Sequence, residues 1–272
     1  MRAGLTRADV CPRVCGWLYH AADLGVEFKP RSSKDRLVFA LDVADLDHAE
    51  RLVRQLSPYV GSFKIGAQLF TSAGPMVVDL VTGMGASVFL DTKFHDIPAT
   101  VAAAAKAAAR RRVRMLTVHA LAGGKAIRLA VTEISRMSVL PGTMPSLVLG
   151  VTLLTSHTVD DVRELGFSDD VPTASLRLAR LAVANGAGGI VASAQEVAAL
   201  RAKLPSEIVI VTPGIRPKGS PQDDQARVMT PSEAIQAGAD YLVVGRPIRD
   251  APNPQEAAAA IAEEIASAVA RL

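Results

Sequence analysis

Eight short apolar segments, each followed by a stretch with helical period, constrain the fold of this chain more than any other feature. The segments are rich in β-branched residues, and the stretches between them are rich in Ala and Leu. The predicted strands are Leu37–Asp42, Ser62–Ile65, Ser87–Asp91, Met115–Val118, Leu147–Thr152, Gly189–Ala192, Ile208–Thr212 and Tyr241–Gly245. Eight successive βα units predict an α/β fold of the (β/α)8 TIM barrel type rather than an open doubly wound sheet.

The stretches between the strands predict helices, several of which begin at capping residues or at proline. The predicted helices are Leu46–Leu56, Thr100–Arg111, Ala174–Ala184, Gln195–Lys203, Pro231–Ala237 and Pro254–Arg271. A chain of 272 residues that is 49% hydrophobic can form one main domain, and we assign residues 36–272 to the catalytic barrel. Residues 1–35 have no clear period, so we predict an extension outside the core that is disordered or loosely docked.

Composition and charge exclude several classes of protein. No apolar stretch approaches the ~18 residues of a membrane span, and no continuous apolar block marks a secretory signal, so we expect a cytoplasmic protein. Cys11 and Cys15 lie together near the N-terminus, which argues against a disulfide framework or a four-ligand zinc site. The net charge of +3 is not concentrated in one block, so we expect a small phosphorylated substrate and no nucleic acid.

A charged motif follows the third predicted strand, where Asp91 and Lys93 are two residues apart and Asp96 comes three residues later. Alternate residues of a strand point to the same side, so Asp91 and Lys93 would project together if the strand continues through Lys93. With Lys64 of the second strand they could form a network in which a carboxylate acts electrostatically and an ammonium donates a proton. The alternative is a solvated salt-bridge network at the barrel rim, which the spacing of the motif makes less attractive.

The ends of the seventh and eighth strands carry a second group of polar residues. The two segments are Thr212-Pro213-Gly214-Ile215-Arg216 and Val244-Gly245-Arg246-Pro247-Ile248. Barrels commonly bind phosphate at this position through glycine-permitted backbone approach and a nearby cation, whereas the alternative here is an ordinary surface cap. The polar loop of residues 216–225, which contains Gln225, is either a lid ordered by ligand or an ordinary surface loop.

Two histidines lie near the predicted strand ends. His95 could be a general base, but Lys93 already offers a proton carrier, so we favour a supporting hydrogen-bonding role. His119 is open to the same two interpretations. No HExxH sequence, paired histidines or acidic cluster predicts a metal site.

Taken together, these residues closely resemble the orotidine 5'-phosphate decarboxylase family over about residues 36–250. The matching segments are Ala40-Leu41-Asp42, Phe63-Lys64-Ile65-Gly66, Asp91-x-Lys93-Phe94-His95-Asp96-Ile97-Pro98-x-Thr100, Thr117-Val118-His119-Ala120, Val151-Thr152-Leu153-Leu154-Thr155-Ser156, Thr212-Pro213-Gly214-Ile215-Arg216, Asp223-Asp224-Gln225 and Val244-Gly245-Arg246-Pro247-Ile248. The resemblance implies a barrel enzyme that decarboxylates orotidine 5'-phosphate to UMP in pyrimidine biosynthesis without a cofactor.

The resemblance also implies a role for each site residue. Lys93 would donate the proton to C6, within a network with Lys64, Asp91 and Asp96. Substrate contacts would come from Asp42 and Lys64 at the ribose, from Ser156 and Pro213 at the pyrimidine, and from Gln225, Gly245 and Arg246 at the 5'-phosphate. The family works as a homodimer in which Asp96, Ile97 and Thr100 reach the neighbouring subunit's site.

Two departures and two rivals accompany this resemblance. Residues 1–35 are not part of the family pattern, and Thr92 stands where a larger apolar residue is expected.

One rival is a magnesium-dependent sugar-phosphate enzyme, such as 3-keto-gulonate-6-phosphate decarboxylase or hexulose-phosphate synthase, which shares the Asp-x-Lys-x-x-Asp core. Ile97, Ser156 and Gln225 suit a nucleotide better. The other rival is a non-catalytic phosphate-binding barrel, against which the retention of both lysines and both carboxylates argues.

Overall fold

A closed barrel of eight parallel strands forms the centre of the structure, a computed structural model that describes residues 27–138, 144–168, 170–217 and 229–272. The strands pair in chain order and β8 returns to β1, as the eightfold pattern predicts. They are β1 Leu37–Ala40, β2 Ser62–Gly66, β3 Val88–Phe94, β4 Met115–His119, β5 Leu147–Val151, β6 Gly189–Val191, β7 Val209–Thr212 and β8 Tyr241–Val244. The predicted barrel is therefore confirmed, and the largest difference in a strand boundary is that β3 continues to Phe94.

Helices surround the barrel. Those in the described ranges are α1 Ser33–Arg36, α2 Leu46–Leu56, α3 Ala67–Ala73, α4 Met76–Gly83, α5 Pro98–Arg110, α6 Gly124–Ser138, α7 Val159–Glu164, α8 Val171–Ala184, α9 Val197–Arg201, α10 Pro231–Gln236, α11 Arg246–Arg249 and α12 Pro254–Val269, with 3-10 turns at Ala120–Ala122 and Ala194–Glu196. The predicted helices did not include α1, α3, α4, α6, α7 and α11. Of these, α3 begins directly after β2 without a side-chain cap, so the usual start signal is absent there.

The strands are apolar along most of their length because helices cover the outside of the barrel and side chains fill its inside. Phe39 and Phe63 are register partners on β1 and β2, and their rings meet edge to face at 6.1 Å. Gly150 of β5 lets α8 approach closely, since a Cβ there would lie 2.4 Å from Ala182 Cβ. Close packing of this kind holds the strand ends in fixed positions.

Residues 27–36 pack at the amino-terminal end of the barrel, opposite the predicted site. Phe28 is buried in the main core, and its carbonyl accepts a hydrogen bond from Tyr241 Oη at 2.5 Å. Burial raises the pKa of the Tyr241 phenol to about 12. Lys29 and Arg201 both form ion pairs with Asp240 at 2.7 Å. The rest of the predicted extension, including both cysteines, lies outside the described residues.

Candidate active site

A cavity of about 550 Å³ opens at the carboxyl-terminal end of the barrel. Such a volume accommodates a small ligand. Its walls are formed mainly by residues at or just beyond strand ends, where barrel enzymes hold their catalytic groups. The polar and charged lining residues are Asp42, Lys64, Asp91, Lys93, Thr155, Ser156, Arg216, Arg246 and Arg249, and Pro213, Gly214 and Gly245 add backbone and apolar surface. Most of the residues predicted from sequence therefore meet in one place.

Four alternating charges line one wall of the cavity. The Lys93 ammonium lies 2.9 Å from Asp91 Oδ2, and the Lys64 ammonium lies 3.9 Å from the same oxygen. Lys64 also donates to Asp42 Oδ1 at 3.1 Å. The side chains of Lys64 and Asp91 are only 12% and 11% exposed, so both need nearby opposite charges to offset lost hydration. The alternative interpretation, a solvated salt-bridge network at the barrel rim, does not fit this burial.

The Asp91 and Lys93 side chains both line the cavity from β3, and this strand continues through Lys93, as their expected proximity required. The strand is irregular there, because the register between β3 and β4 shifts between Leu90 and Phe94. Lys93 has φ of +50°, in the left-handed region that a lysine rarely adopts. A bulge of this kind redirects side chains next to a functional site. The expected proximity of Asp91 and Lys93 is therefore present, in a strand whose irregularity the sequence did not predict.

The adjoining part of the cavity wall, at the ends of β7 and β8, carries cations and glycines. Arg216 follows β7, and Arg246 and Arg249 belong to the short helix after β8. Gly245 brings the backbone close to β1, because a Cβ on it would lie 3.3 Å from Ala40 Cβ. These groups are suited to an anionic substituent, since arginine donates in a fixed fork that matches phosphate.

Arg249 is a cavity residue to which the sequence prediction assigned no role. Its Nη1 donates to the main-chain carbonyl of Asp42 at 2.9 Å, and its Nε lies 2.6 Å from Asp250 Oδ1. The hydrogen bond to Asp250 raises the pKa of the guanidinium. This contact connects the end of β8 with the end of β1, a connection that only tertiary structure reveals.

Three residues of the predicted site lie outside the cavity of the single chain. Asp96, Ile97 and Thr100 are all exposed, and Ile97 is 66% exposed. Asp96 accepts a hydrogen bond from the N–H of Ile97, and it forms no ion pair with any residue of the described ranges. The expected four-membered network therefore contains only Lys64, Asp91 and Lys93 within one chain, and Asp42 joins it. Gln225 and the rest of the predicted lid lie outside the described residues.

The two histidines stack beside the charged wall. Their ring centroids are 5.4 Å apart, with His95 exposed and His119 only 8% exposed. Burial, followed by the nearby His95 and Lys93, lowers the pKa of His119 to about 4. His119 is therefore neutral near pH 7, and its Nδ1 accepts a hydrogen bond from the Leu121 N–H. This geometry favours a supporting role for His119.

Two kinds of feature are absent from the described part of the chain. There, no three His, Cys, Asp or Glu side chains are grouped in a way that could hold a metal ion. None of the described helices combines the length and hydropathy needed to cross a bilayer.

The fold and the cavity define a (β/α)8-barrel enzyme whose site joins a buried lysine–carboxylate network to an arginine-rich wall suited to anions. The chain belongs to the orotidine 5'-phosphate decarboxylase / HUMPS family, whose model matches residues 35–261.

Individual relatives agree with the family assignment. Over 235 residues, the chain is 50% identical to a protein of Moorella thermoacetica named orotidine 5'-phosphate decarboxylase. The match covers 86% of this chain and 93% of that protein. A protein of the same name from Geotalea daltonii is 46% identical over 233 residues, covering 86% of this chain and 97% of the relative. The crystal structure of orotidine 5'-phosphate decarboxylase from Lactobacillus acidophilus matches with a TM-score of 0.76 at 34% identity, covering 87% and 99% of the two chains.

Proposed function

We propose that this protein decarboxylates orotidine 5'-phosphate to UMP and CO2 in de novo pyrimidine biosynthesis, without a cofactor. The observation that carries the proposal is the Lys64–Asp91–Lys93 network at the wall of a substrate-sized cavity that arginines also line. The identity of 50% with a relative of that name supports the same reaction.

The chemistry demands a cation next to the reacting carbon. When CO2 leaves, the electron pair of the broken bond stays on C6 of the pyrimidine, where no adjacent carbonyl can delocalise it. An ammonium at that position stabilises the negative charge and then donates a proton to C6. We assign this step to Lys93, which becomes a neutral amine and takes up a proton again from solvent.

Asp91 acts on the same centre in two ways. Its carboxylate holds the Lys93 ammonium at 2.9 Å, and a negative charge near the departing carboxylate disfavours the charged ground state. Rate enhancements of enzymes correspond to as much as about 23 kcal/mol, which is too much for one contact. Binding of the distant phosphate and ribose supplies part of this free energy by organising the charged site.

The remaining residues bind substrate in this proposal. Asp42 and Lys64 contact the ribose, and the Asp42 carboxylate is accessible for that purpose because its side chain is 40% exposed. Ser156 and Pro213 border the pyrimidine, and both line the cavity. The 5'-phosphate is held by Gly245, Arg246 and Gln225.

We also propose a homodimer with shared active sites, in the cytoplasm. Asp96, Ile97 and Thr100 are exposed in the single chain, and an isoleucine that is 66% exposed next to an active site is suited to a subunit contact. In the dimer, Asp96 of each subunit would complete the charged network of its partner.

One assay tests the reaction against its rivals. Purified protein is incubated with orotidine 5'-phosphate in excess EDTA, and the ultraviolet change that accompanies formation of UMP is followed. We expect full turnover. UMP formation that requires added magnesium would contradict a reaction without a cofactor, and absence of turnover under both conditions would contradict the proposed reaction and favour the rivals.

A further inference from the structure

The bulge in β3 places three residues opposite one. Leu90 pairs with Leu116 and Phe94 pairs with Val118, so residues 91–93 stand opposite the single residue Thr117 of β4. Thr117 is fully buried. Its hydroxyl accepts a hydrogen bond from the Lys93 main-chain N–H at 2.8 Å and donates one to Asp91 Oδ1 at 3.1 Å. One side chain therefore contacts both members of the Asp91–Lys93 pair.

Chemistry determines the direction of both hydrogen bonds. A main-chain N–H can only donate, so the hydroxyl must use a lone pair toward Lys93. An ionised carboxylate can only accept, so the single hydroxyl proton is directed at Asp91. The neighbouring Thr92 hydroxyl cannot substitute, since it is buried with no hydrogen-bond partner in the described structure.

The two contacts restrict different degrees of freedom. The torsion at the end of an aspartate side chain is broad, so hydrogen bonds decide how the carboxylate is turned. With Thr117 on Oδ1 and the Lys93 ammonium on Oδ2, both carboxylate oxygens of Asp91 are held. The hydrogen bond from the Lys93 main-chain N–H to the Thr117 hydroxyl holds Lys93 at φ of +50°. This strained conformation persists only where the surroundings enforce it.

We propose that Thr117 is a positioning residue for decarboxylation, because its hydroxyl fixes the Asp91 carboxylate and the left-handed backbone of Lys93 in the geometry that brings the ammonium to the reacting carbon. This inference rests on the proposed function and adds a residue that acts on substrate only through Asp91 and Lys93. Thr117 does not line the cavity.

A set of substitutions at position 117 tests the role of the hydroxyl. Thr117→Val keeps the shape and removes both hydrogen bonds, whereas Thr117→Ser keeps the hydroxyl and removes only a methyl group. We expect kcat of the valine variant to fall about a hundredfold, because a misplacement of ~1 Å at a reacting group can cost that much. The serine variant is expected to retain at least about half of kcat. UMP affinity, measured by calorimetry, is expected to change less than about twofold in both variants, because the contacts to phosphate and ribose remain.

Thr152→Val provides a matched control. Thr152, like Thr117, is fully buried, and it directly follows β5. Its hydroxyl donates to the Val191 carbonyl at 3.0 Å and not to any of the four charged side chains. We expect this variant to lose stability but to keep kcat. An equal loss of kcat in the control and in Thr117→Val would mean that any buried threonine matters in this way, and would overturn the proposal.

Three further results would overturn the positioning role. They are wild-type kcat in Thr117→Val, a loss in Thr117→Ser as large as that in Thr117→Val, or parallel losses of kcat and UMP affinity. If Thr117→Val does not fold, Thr117→Ala is compared with Thr117→Ser, since those two differ only in the hydroxyl. Equal kcat in that pair would then contradict the proposal.

A crystal structure of Thr117→Ala separates this inference from the proposed reaction. We expect the φ of Lys93 to leave the left-handed region, or the distance from Lys93 Nζ to Asp91 Oδ2 to increase beyond hydrogen-bonding range. An unchanged geometry would refute the role of Thr117 even if the wild-type protein is an active decarboxylase. Conversely, lack of wild-type turnover would contradict the proposed function while the structural readout still tests what the hydroxyl holds.

Discussion

The Lys93 ammonium donates a hydrogen bond to Asp91 Oδ2 at 2.9 Å, and the main-chain N–H of Lys93 donates one to the Thr117 hydroxyl. The two residues belong to the same strand, and the register between β3 and β4 shifts in the segment that contains them. Because a bulged strand is held by its neighbour, the Asp91–Lys93 geometry depends on β4. The charged pair is thus a property of two strands.

Replacing Lys93 by alanine should nearly abolish turnover while the fold remains intact. The expected loss in kcat is at least about 10⁴-fold, since both charge stabilisation and proton donation disappear. Steady-state kinetics and thermal unfolding measure the two effects. Lys106→Ala is the control, because Lys106 pairs with Glu133 on the barrel exterior. Wild-type activity in Lys93→Ala would remove Lys93 as the proton donor.

Replacing Arg246 by alanine should weaken recognition of the phosphate specifically. We expect kcat/KM for orotidine 5'-phosphate to fall by about a hundredfold or more, with a small change for orotidine, which lacks the phosphate. Arg163→Ala serves as the control, because Arg163 is 70% exposed and pairs with Asp160. Equal losses for the two substrates would contradict the phosphate role.

Mixing two inactive variants should restore activity if the active sites are shared. Lys93→Ala and Asp96→Ala damage different halves of each site, so a hybrid dimer contains one site in which both residues are intact. After subunit exchange, we expect about a quarter of wild-type activity, because about half of the dimers are hybrids. Sedimentation tests whether the wild-type protein is a dimer. No gain over the separate variants would mean that Asp96 serves its own chain.

Acid should destabilise this protein in part through His119. Its pKa is lowered to about 4 in the fold and is about 6.5 when unfolded, so the unfolded chain binds the proton first as pH falls. The contribution of neutral His119 to the free energy of unfolding is therefore fully present above pH 6.5. It is lost as the pH falls from 6.5 to 4, by up to about 3 kcal/mol. His119→Asn keeps an acceptor for the Leu121 N–H but cannot titrate.

Urea unfolding at pH 7.5 and pH 4.5 measures this effect. We expect the stability difference between His119→Asn and wild type to move in favour of the variant at the lower pH. His48→Asn, at the start of α2, controls for the loss of any histidine. Parallel pH dependence of His119→Asn and wild type would show that His119 does not contribute.

Removing Asp240 should destabilise the amino-terminal end of the barrel. Its carboxylate is bound by Lys29, Arg201 and the Ile210 N–H, so Asp240→Ala leaves two partly buried cations unpaired. We expect a loss of about 3 to 5 kcal/mol in denaturant unfolding. Lys29→Ala should cost less, because Arg201 remains on Asp240. Asp160→Ala is the exposed control, and a similarly small effect for Asp240→Ala would contradict the structural role.

The sequence by itself determined the barrel and most of the cavity wall. Strand and helix periods are local properties, and a closed parallel barrel has only one end at which Asp42, Lys64 and Arg246 can meet. Tertiary structure alone decided what depends on pairing between distant segments. The register shift against β4 sets the Lys93 backbone, Thr117 reaches Asp91 across it, and Arg249 reaches the carbonyl of Asp42. Those contacts cross strands, and no local pattern of residues encodes how one strand slips against its neighbour.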